Sequence, residues 1–267
     1  MKVYIVCDLE GVAGVVDFKK QCMEDGPYYK QAISMATHEL NALIEGVIRG
    51  GAREVYAWPG HGSFPGGIDV ELLHPECQLM MHAGDAGPVG VDESIDAMLL
   101  HGLHGMAGSG GVLSHSFYPF PKNIWLNGLK IGEIALNMLN FSEHGVPTVF
   151  VSGDKVAVEE AMKLVPDIEA AVVKWALGEK EKLGALSIQK AKSLSPLKAQ
   201  DLLRETGRRA LSRAKLISPF WIDPPYELRV EYTEQKYAEF ALENTGVEKI
   251  DDVTTIQTRD SLSQLTF

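Results

Sequence analysis

Val3-Tyr4-Ile5-Val6-Cys7-Asp8-Leu9-Glu10-Gly11-Val12 is the stretch from which the rest of the chain is read, because an apolar, β-branched run passes straight into two carboxylates separated by one residue. Side chains alternate along a strand, so Asp8 and Glu10 project from the same face. A continuous apolar run is the pattern of a strand buried on both faces, as in a parallel sheet, and a carboxylate there is costly unless a cation compensates it. A metal ion is the simplest compensation. Taken alone, such a pair more often ends a strand and caps the next turn; the remainder of the chain shifts that balance.

Working outward, strand and helix patterns alternate. A helix is predicted from about Tyr28 to Arg49, where Ala32, Met35, Leu40, Leu43, Ile44 and Val47 recur near helical spacing before Gly50-Gly51. Further strands are predicted at Glu54 to Trp58, Ala97 to His101 and Pro147 to Ser152, the last followed by Asp154 as the N-cap of a helix through Leu164. Residues 124–131 read as a hairpin with an Asn127-Gly128 turn, feeding a helix near Gly132-Glu133. This alternation predicts an α/β fold with a Rossmann-like, doubly wound sheet. After Pro166 the character becomes α+β: strands over Ala170 to Leu177, Ala185 to Ile188, Tyr226 to Tyr232 and Val253 to Thr258, and helices over Pro196 to Ala214 and Glu234 to Glu243. The expected organisation is an α/β domain over 1–167 and a smaller α+β domain over 168–267, with a soft boundary.

Composition narrows the function. The 267 residues, 45% hydrophobic and 23% charged, suffice for one large domain or two small ones of a globular protein. A formal charge of −11 argues against a nucleic-acid partner, and the basic stretch from Arg204 to Lys215 reads as a solvated helix face. No leader-like segment and no apolar run of spanning length is present, so a cytoplasmic protein without membrane contact is expected. Cys7, Cys22 and Cys77 lack metal-like spacing and read as reduced thiols.

The chemistry concentrates where the first-half strands end. The second strand exits into Trp58-Pro59-Gly60-His61 and the third into His101-Gly102-Leu103-His104. The carboxyl ends of parallel strands form the ligand crevice of an open α/β sheet, so Asp8, Glu10, His61 and His104 can converge there. Glu133 is a further oxygen donor, although a helix's first turn favours Glu for its dipole alone. Mixed imidazole and carboxylate donors suit zinc, or manganese or cobalt, and more than four such groups suggest two ions sharing a carboxylate. His38, His74, His82 and His144 read as ordinary surface or core histidines. His101 and His104 fall on opposite faces if the strand continues, and His104 is favoured. Ser114 beside His115 makes no nucleophile elbow, because Gly-x-Ser-x-Gly is absent.

Taken in order, Val6-Cys7-Asp8-Leu9-Glu10-Gly11, Gly60-His61, Gly102-Leu103-His104, Leu113-Ser114-His115-Ser116, Ile131-Gly132-Glu133-Ile134-Ala135-Leu136-Asn137 and Val151-Ser152-Gly153-Asp154 closely resemble the DppA-like zinc D-aminopeptidases encoded in dipeptide-transport operons. The resemblance implies that Asp8, Glu10, His61, His104 and Glu133 hold two zinc ions, that His115 is catalytic, and that the chains assemble into a ring-shaped decamer whose sites face an internal chamber. It also implies hydrolysis of short peptides or peptide amides by metal-activated water, with His115 as general acid, general base or nucleophile. One departure stands out: the family usually carries Asn-Asp where this chain has Trp58-Pro59, which removes a partner that would orient the imidazole of His61 and leaves D-specificity open. Two other classes compete. A nucleotide or anion binder is disfavoured by the absence of a Walker Lys and by the negative charge after the first strand. A metal-stapled structural or assembly protein would use the same ligands without an open coordination position.

Overall fold

The computed structural model describes residues 1–266 apart from 63–65, 82–86, 118–120, 179–180 and 184–185, with the backbone alone at 181–183 and 186–188. The apolar run that opens the chain forms β1 (Lys2–Cys7) and leads to α1 (Tyr29–Arg49), β2 (Glu54–Pro59), β3 (Cys77–Leu79) and β4 (Ala97–Leu103). There follow β5 (Pro121–Leu126), β6 (Leu129–Ile131), α2 (Glu133–Ser142), β7 (Thr148–Asp154), α3 (Lys155–Leu164) and β8 (Glu169–Ala176). The chain closes with β9 (Glu181–Leu183), β10 (Leu186–Ile188), β11 (Ala191–Ser193), α4 (Pro196–Arg213), β12 (Tyr226–Tyr232), α5 (Gln235–Ala241), β13 (Val247–Asp251) and β14 (Thr254–Arg259).

The large sheet has the order β11-β8-β7-β4-β1-β2-β3, parallel throughout except for β11 at one edge. This is the doubly wound α/β arrangement expected from the alternation. Strand order reverses between β1 and β4, the position at which such sheets open a ligand crevice at their carboxyl ends. Val3 to Cys7 and all of β4 are buried, as continuous apolar runs in a two-sided parallel sheet should be. Helix α1 buries Leu40, Leu43, Ile44 and Val47, each worth about 1.5–3 kcal/mol on full burial. It packs against α4 at close range, because a side chain on Gly46 would strike the carbonyl of Arg204.

The small sheet has the order β13-β14-β12-β5-β6, all antiparallel. Asn127 and Gly128 both have positive φ, the turn the Asn-Gly pair was expected to make. The two sheets cut across the expected division at residue 167. Strands β8 and β11 and helix α4 belong with the large sheet, whereas the β5–β6 hairpin is completed by the C-terminal strands. A hairpin records its own turn but not the distant strand that pairs its outer edge. Strands β3, β9, β11 and β13 were not foreseen: β3, β9 and β11 span three residues each, and β13 is largely exposed and polar, so neither carries a clear apolar period. The strand expected over 185–188 is found at Leu186–Ile188, its first residue lying outside the described residues.

Candidate metal centre

Strands β1, β2 and β4 deliver their side chains to one place. Asp8 and Glu10 leave β1 in a turn seated on the end of β4: Asp8 N–H donates to His101 O at 2.8 Å and Gly11 N–H to Gly102 O at 2.7 Å. Glycine is required at 11, since a Cβ there would lie about 2 Å from the Leu103 and Gly102 carbonyl oxygens. His61 follows β2 and His104 follows β4, while Glu133 is the first residue of α2. All five residues expected at the site are therefore neighbours.

The geometry pairs imidazoles with carboxylates. His61 Nδ1 lies 2.8 Å from Glu10 Oε2 and 3.5 Å from Asp8 Oδ1; His104 Nε2 lies 3.3 Å from Asp8 Oδ2 and 3.7 Å from Glu133 Oε1. Asp8 thus faces both imidazoles, one with each oxygen. Asp8 Oδ2 and His104 Nε2 are buried and make no hydrogen bond. Two sets of ligand atoms lie close enough to share a cation, Asp8 with Glu10 and His104, and His104 with His115 and Glu133.

Electrostatics follow from this crowding. Burial disfavours the imidazolium of His61, but the Glu10 and Asp8 carboxylates outweigh it and push its pKa up to about 11. Burial likewise opposes charge on His104, which Glu133, Asp8 and Glu10 raise to about 9. Burial also works against ionised Asp8, yet the hydrogen bond with His61 and the charge of His104 hold its carboxyl below the usual range. The centre therefore binds protons tightly, and a divalent cation would take their place, because a ligating imidazole must be neutral. Oxygen and imidazole donors with orphaned buried atoms fit zinc.

The other histidines separate cleanly. His101 is fully buried with Nδ1 3.1 Å from Ser152 Oγ, and burial pushes its pKa down to about 4. Neither His61 nor His101 belongs to the two ligand sets above; what separates them among the described residues is that His61 faces Glu10 and Asp8, whereas His101 faces a serine hydroxyl. His38 is exposed with Nδ1 on Ser34 O, and His74 accepts from Glu76 N–H; His144 is exposed, and His82 lies outside the described residues. Ser114 Oγ accepts from Ser109 Oγ, not from His115.

His115 enters from the Gly-rich loop. Its ring stacks on that of His104 at 3.9 Å between centroids, and Phe18 meets it edge-on at 5.6 Å. Leu113 and Phe117, on either side, have left-handed φ values of 59° and 46°, a strained state for such residues that recurs at functional sites. Each turn has a use: Leu113 O faces His115 Nδ1 at 2.8 Å, and Phe117 N–H donates to Glu133 Oε1 at 2.8 Å. Asp154 caps α3 at Ala157 N–H, as its position predicted, and its other oxygen holds Val112 N–H of the same loop.

Several supporting groups were invisible in the sequence. Cys22 O lies 2.8 Å from His61 Nε2 and orients that ring; Trp58 packs over Gly60 and against the main core. Glu160 accepts from Met106 N–H and is pushed up to about 7 by burial. Glu39 accepts from Ala13 N–H and is pushed up to about 8 by burial. Lys174, also fully buried, is pushed down to about 8 by burial. A lone Glu on a helix, or a lone Lys in a strand, carries no signal that would assign it to a site formed elsewhere.

Comparison with known proteins agrees with this geometry. A family model described as D-aminopeptidase matches residues 1–266. A D-aminopeptidase of Bacillus subtilis (strain 168) is 31% identical over 264 residues, covering 96% of this chain and 90% of that protein. The solved structure of the Zn-dependent D-aminopeptidase DppA from Bacillus subtilis, a self-compartmentalizing protease, superposes with a TM-score of 0.87 at 29% identity, covering 97% of this chain and 92% of that one. With a match spanning both sheets and every strand end that builds the centre, the chain belongs to the D-aminopeptidase family.

Proposed function

We propose that this protein is a zinc-dependent aminopeptidase that hydrolyses short peptides or peptide amides, those with an amino-terminal D-residue in particular. The observation that carries the reading is the meeting of Asp8, Glu10, His61, His104 and Glu133 at strand ends, with Asp8 Oδ2 and His104 Nε2 buried and unsatisfied between them. These five residues would hold zinc, two ions in this reading, and Asp8 offers one oxygen toward each of two imidazoles. Bound there, zinc supplies a Lewis acid for the scissile carbonyl and hydroxide near neutral pH.

The chain's own residues do the rest. Cys22 O and Gly105 O hold the outer nitrogens of His61 and His104, which sets the ring orientations. His115 is the proposed catalytic acid or base: its Nδ1–H donates to Leu113 O, which leaves Nε2 for proton exchange with the reacting group. The stack on His104 and the edge contact with Phe18 fix that ring against the centre. No described helix is long and apolar enough to cross a membrane. We further propose a cytoplasmic, ring-shaped decamer with enclosed sites, a reading supported by the likeness to a self-compartmentalizing protease. The metal-stapled assembly and small-ligand alternatives find no relative among these matches.

The test is turnover on paired short D- and L-peptide amides by His115→Ala and wild type, with zinc content measured on both. The variant should keep its zinc and lose about 10²–10⁴-fold in kcat, the usual worth of a positioned acid or base. Unchanged turnover refutes the catalytic role. Loss of zinc makes His115 a ligand, as its place beside His104 and Glu133 allows.

A further inference from the structure

Lys174 is a buried cation for which the reaction above has no use, and its surroundings are those of an anchor. Strand β8 pairs with β7 in parallel, and the register slips where Gly153 faces Val172 and Asp154 faces Lys174, so β8 carries one residue more over that step. Such an insertion bends a strand and re-aims the side chains beside it, and Lys174 is brought to 0% exposure. Its ammonium donates to the main-chain carbonyls of Glu10 and Val15, which lie 164 and 159 residues earlier in the chain.

Those two carbonyls bracket the turn that leaves β1. Other side chains grip the same turn between them: Glu39 Oε1 of α1 takes Ala13 N–H at 3.0 Å, and Ser193 Oγ of β11 takes Gly14 N–H at 2.8 Å. Taking an ammonium out of water costs several kcal/mol in practice, and the nearby charges of Asp154, Glu10 and Glu39 offset that cost only in part, since burial is the larger effect. What the turn carries is Glu10, whose carboxylate meets His61 at 2.8 Å.

We propose that Lys174 is a positioning residue for the metal centre: by holding the carbonyls of residues 10 and 15 it fixes the turn that presents Glu10, and through Glu10 the ring of His61. The inference rests on the reading that Glu10 is a zinc ligand. Charge and anchoring act in opposite directions here. An ammonium near a cation site repels the cation, so removing only its charge would tighten zinc binding, whereas removing the anchor weakens it.

The experiment compares wild type with Lys174→Met, which keeps the length of the side chain and leaves little cavity. Zinc affinity is read by chelator competition with the metal alone, and thermal unfolding of the chelated proteins is read beside it. Lys174→Met should bind zinc about 10–100-fold more weakly, the usual effect of losing a group that supports a ligand. An affinity within twofold of wild type, even with a lower melting point, assigns Lys174 a merely structural role and overturns the proposal, as does tighter binding. If the Met variant does not fold, Lys174→Gln is read by the same criteria. Wild-type protein that takes up no zinc overturns the metal reading and this one with it; equal uptake by both proteins overturns this one alone.

Discussion

Replacing His104 and His101 separately with Ala tests the centre most sharply, because two buried imidazoles three residues apart are given different work. His104 Nε2 faces Asp8 and Glu133 at 3.3 and 3.7 Å, while His101 faces Ser152. Zinc bound only to the folded chain stabilises it by RT ln(1 + [L]/Kd), about 4 kcal/mol at a thousandfold excess over Kd. At 2–4 °C per kcal/mol for a chain of roughly this size, that is a rise in Tm of about 8–16 °C. Losing a ligand that weakens Kd by about 10³ leaves RT ln 2, about 0.4 kcal/mol, or a rise of about 1–2 °C. His101→Ala instead empties a buried site and should cost about 2–4 kcal/mol with and without zinc, leaving the zinc-induced rise intact. The assay is thermal unfolding of chelated and zinc-loaded proteins at one protein concentration, with metal content measured in parallel. A rise that collapses equally in both variants, or survives in His104→Ala, would refute the placement of the metal on His104.

Three further outcomes follow from the same structure. His101 has a folded pKa near 4 against about 6.5 unfolded, so the unfolded chain gains the proton first as pH falls; stability present above pH 6.5 is lost toward pH 4, by about 3 kcal/mol. Urea unfolding from pH 4 to 7 should show a shallower acid loss in His101→Ala than in wild type, and parallel curves would count against it. His104 runs the other way in chelated protein: its pKa near 9 gives stability that is full below pH 6.5 and lost as pH rises through 9, and at pH 7.5 zinc uptake must expel that proton. Calorimetric heats of zinc binding should therefore vary with the ionisation enthalpy of the buffer, and buffer-independent heats would refute a protonated centre. Light scattering should give a mass several-fold above the 29.2 kDa chain, with short peptides cleaved far faster than folded proteins; an active monomer would remove the enclosed chamber.

Much of the architecture was legible because it rests on local pattern. The run Val3 to Cys7 is apolar on both faces, the pattern of a strand covered on both sides, and α1, α4 and β12 are marked by their periods. Asn127-Gly128 marked its turn because few other pairs accept positive φ at both positions. That Asp8, Glu10, His61 and His104 would be neighbours was legible because each follows a strand that ends at the same edge of the sheet.

What tertiary structure alone decided is whatever depends on contacts between distant segments. Period and turn signals say nothing of which strand completes a hairpin, so the pairing of β5 with β12 and the sheet membership of β8 and β11 appear only in the folded chain. The same holds for the support of the site. Cys22 offers His61 a main-chain carbonyl that every residue possesses, and Lys174 reaches the turn after β1 across 164 residues. Strand patterns nominate candidate residues because the end of a strand is marked locally, although Asp8, Glu10, His61 and His104 all lie just past their strands, where alternation no longer sets the face; the groups that hold those side chains still are chosen by packing, which brings together residues whose sequence positions carry no common mark.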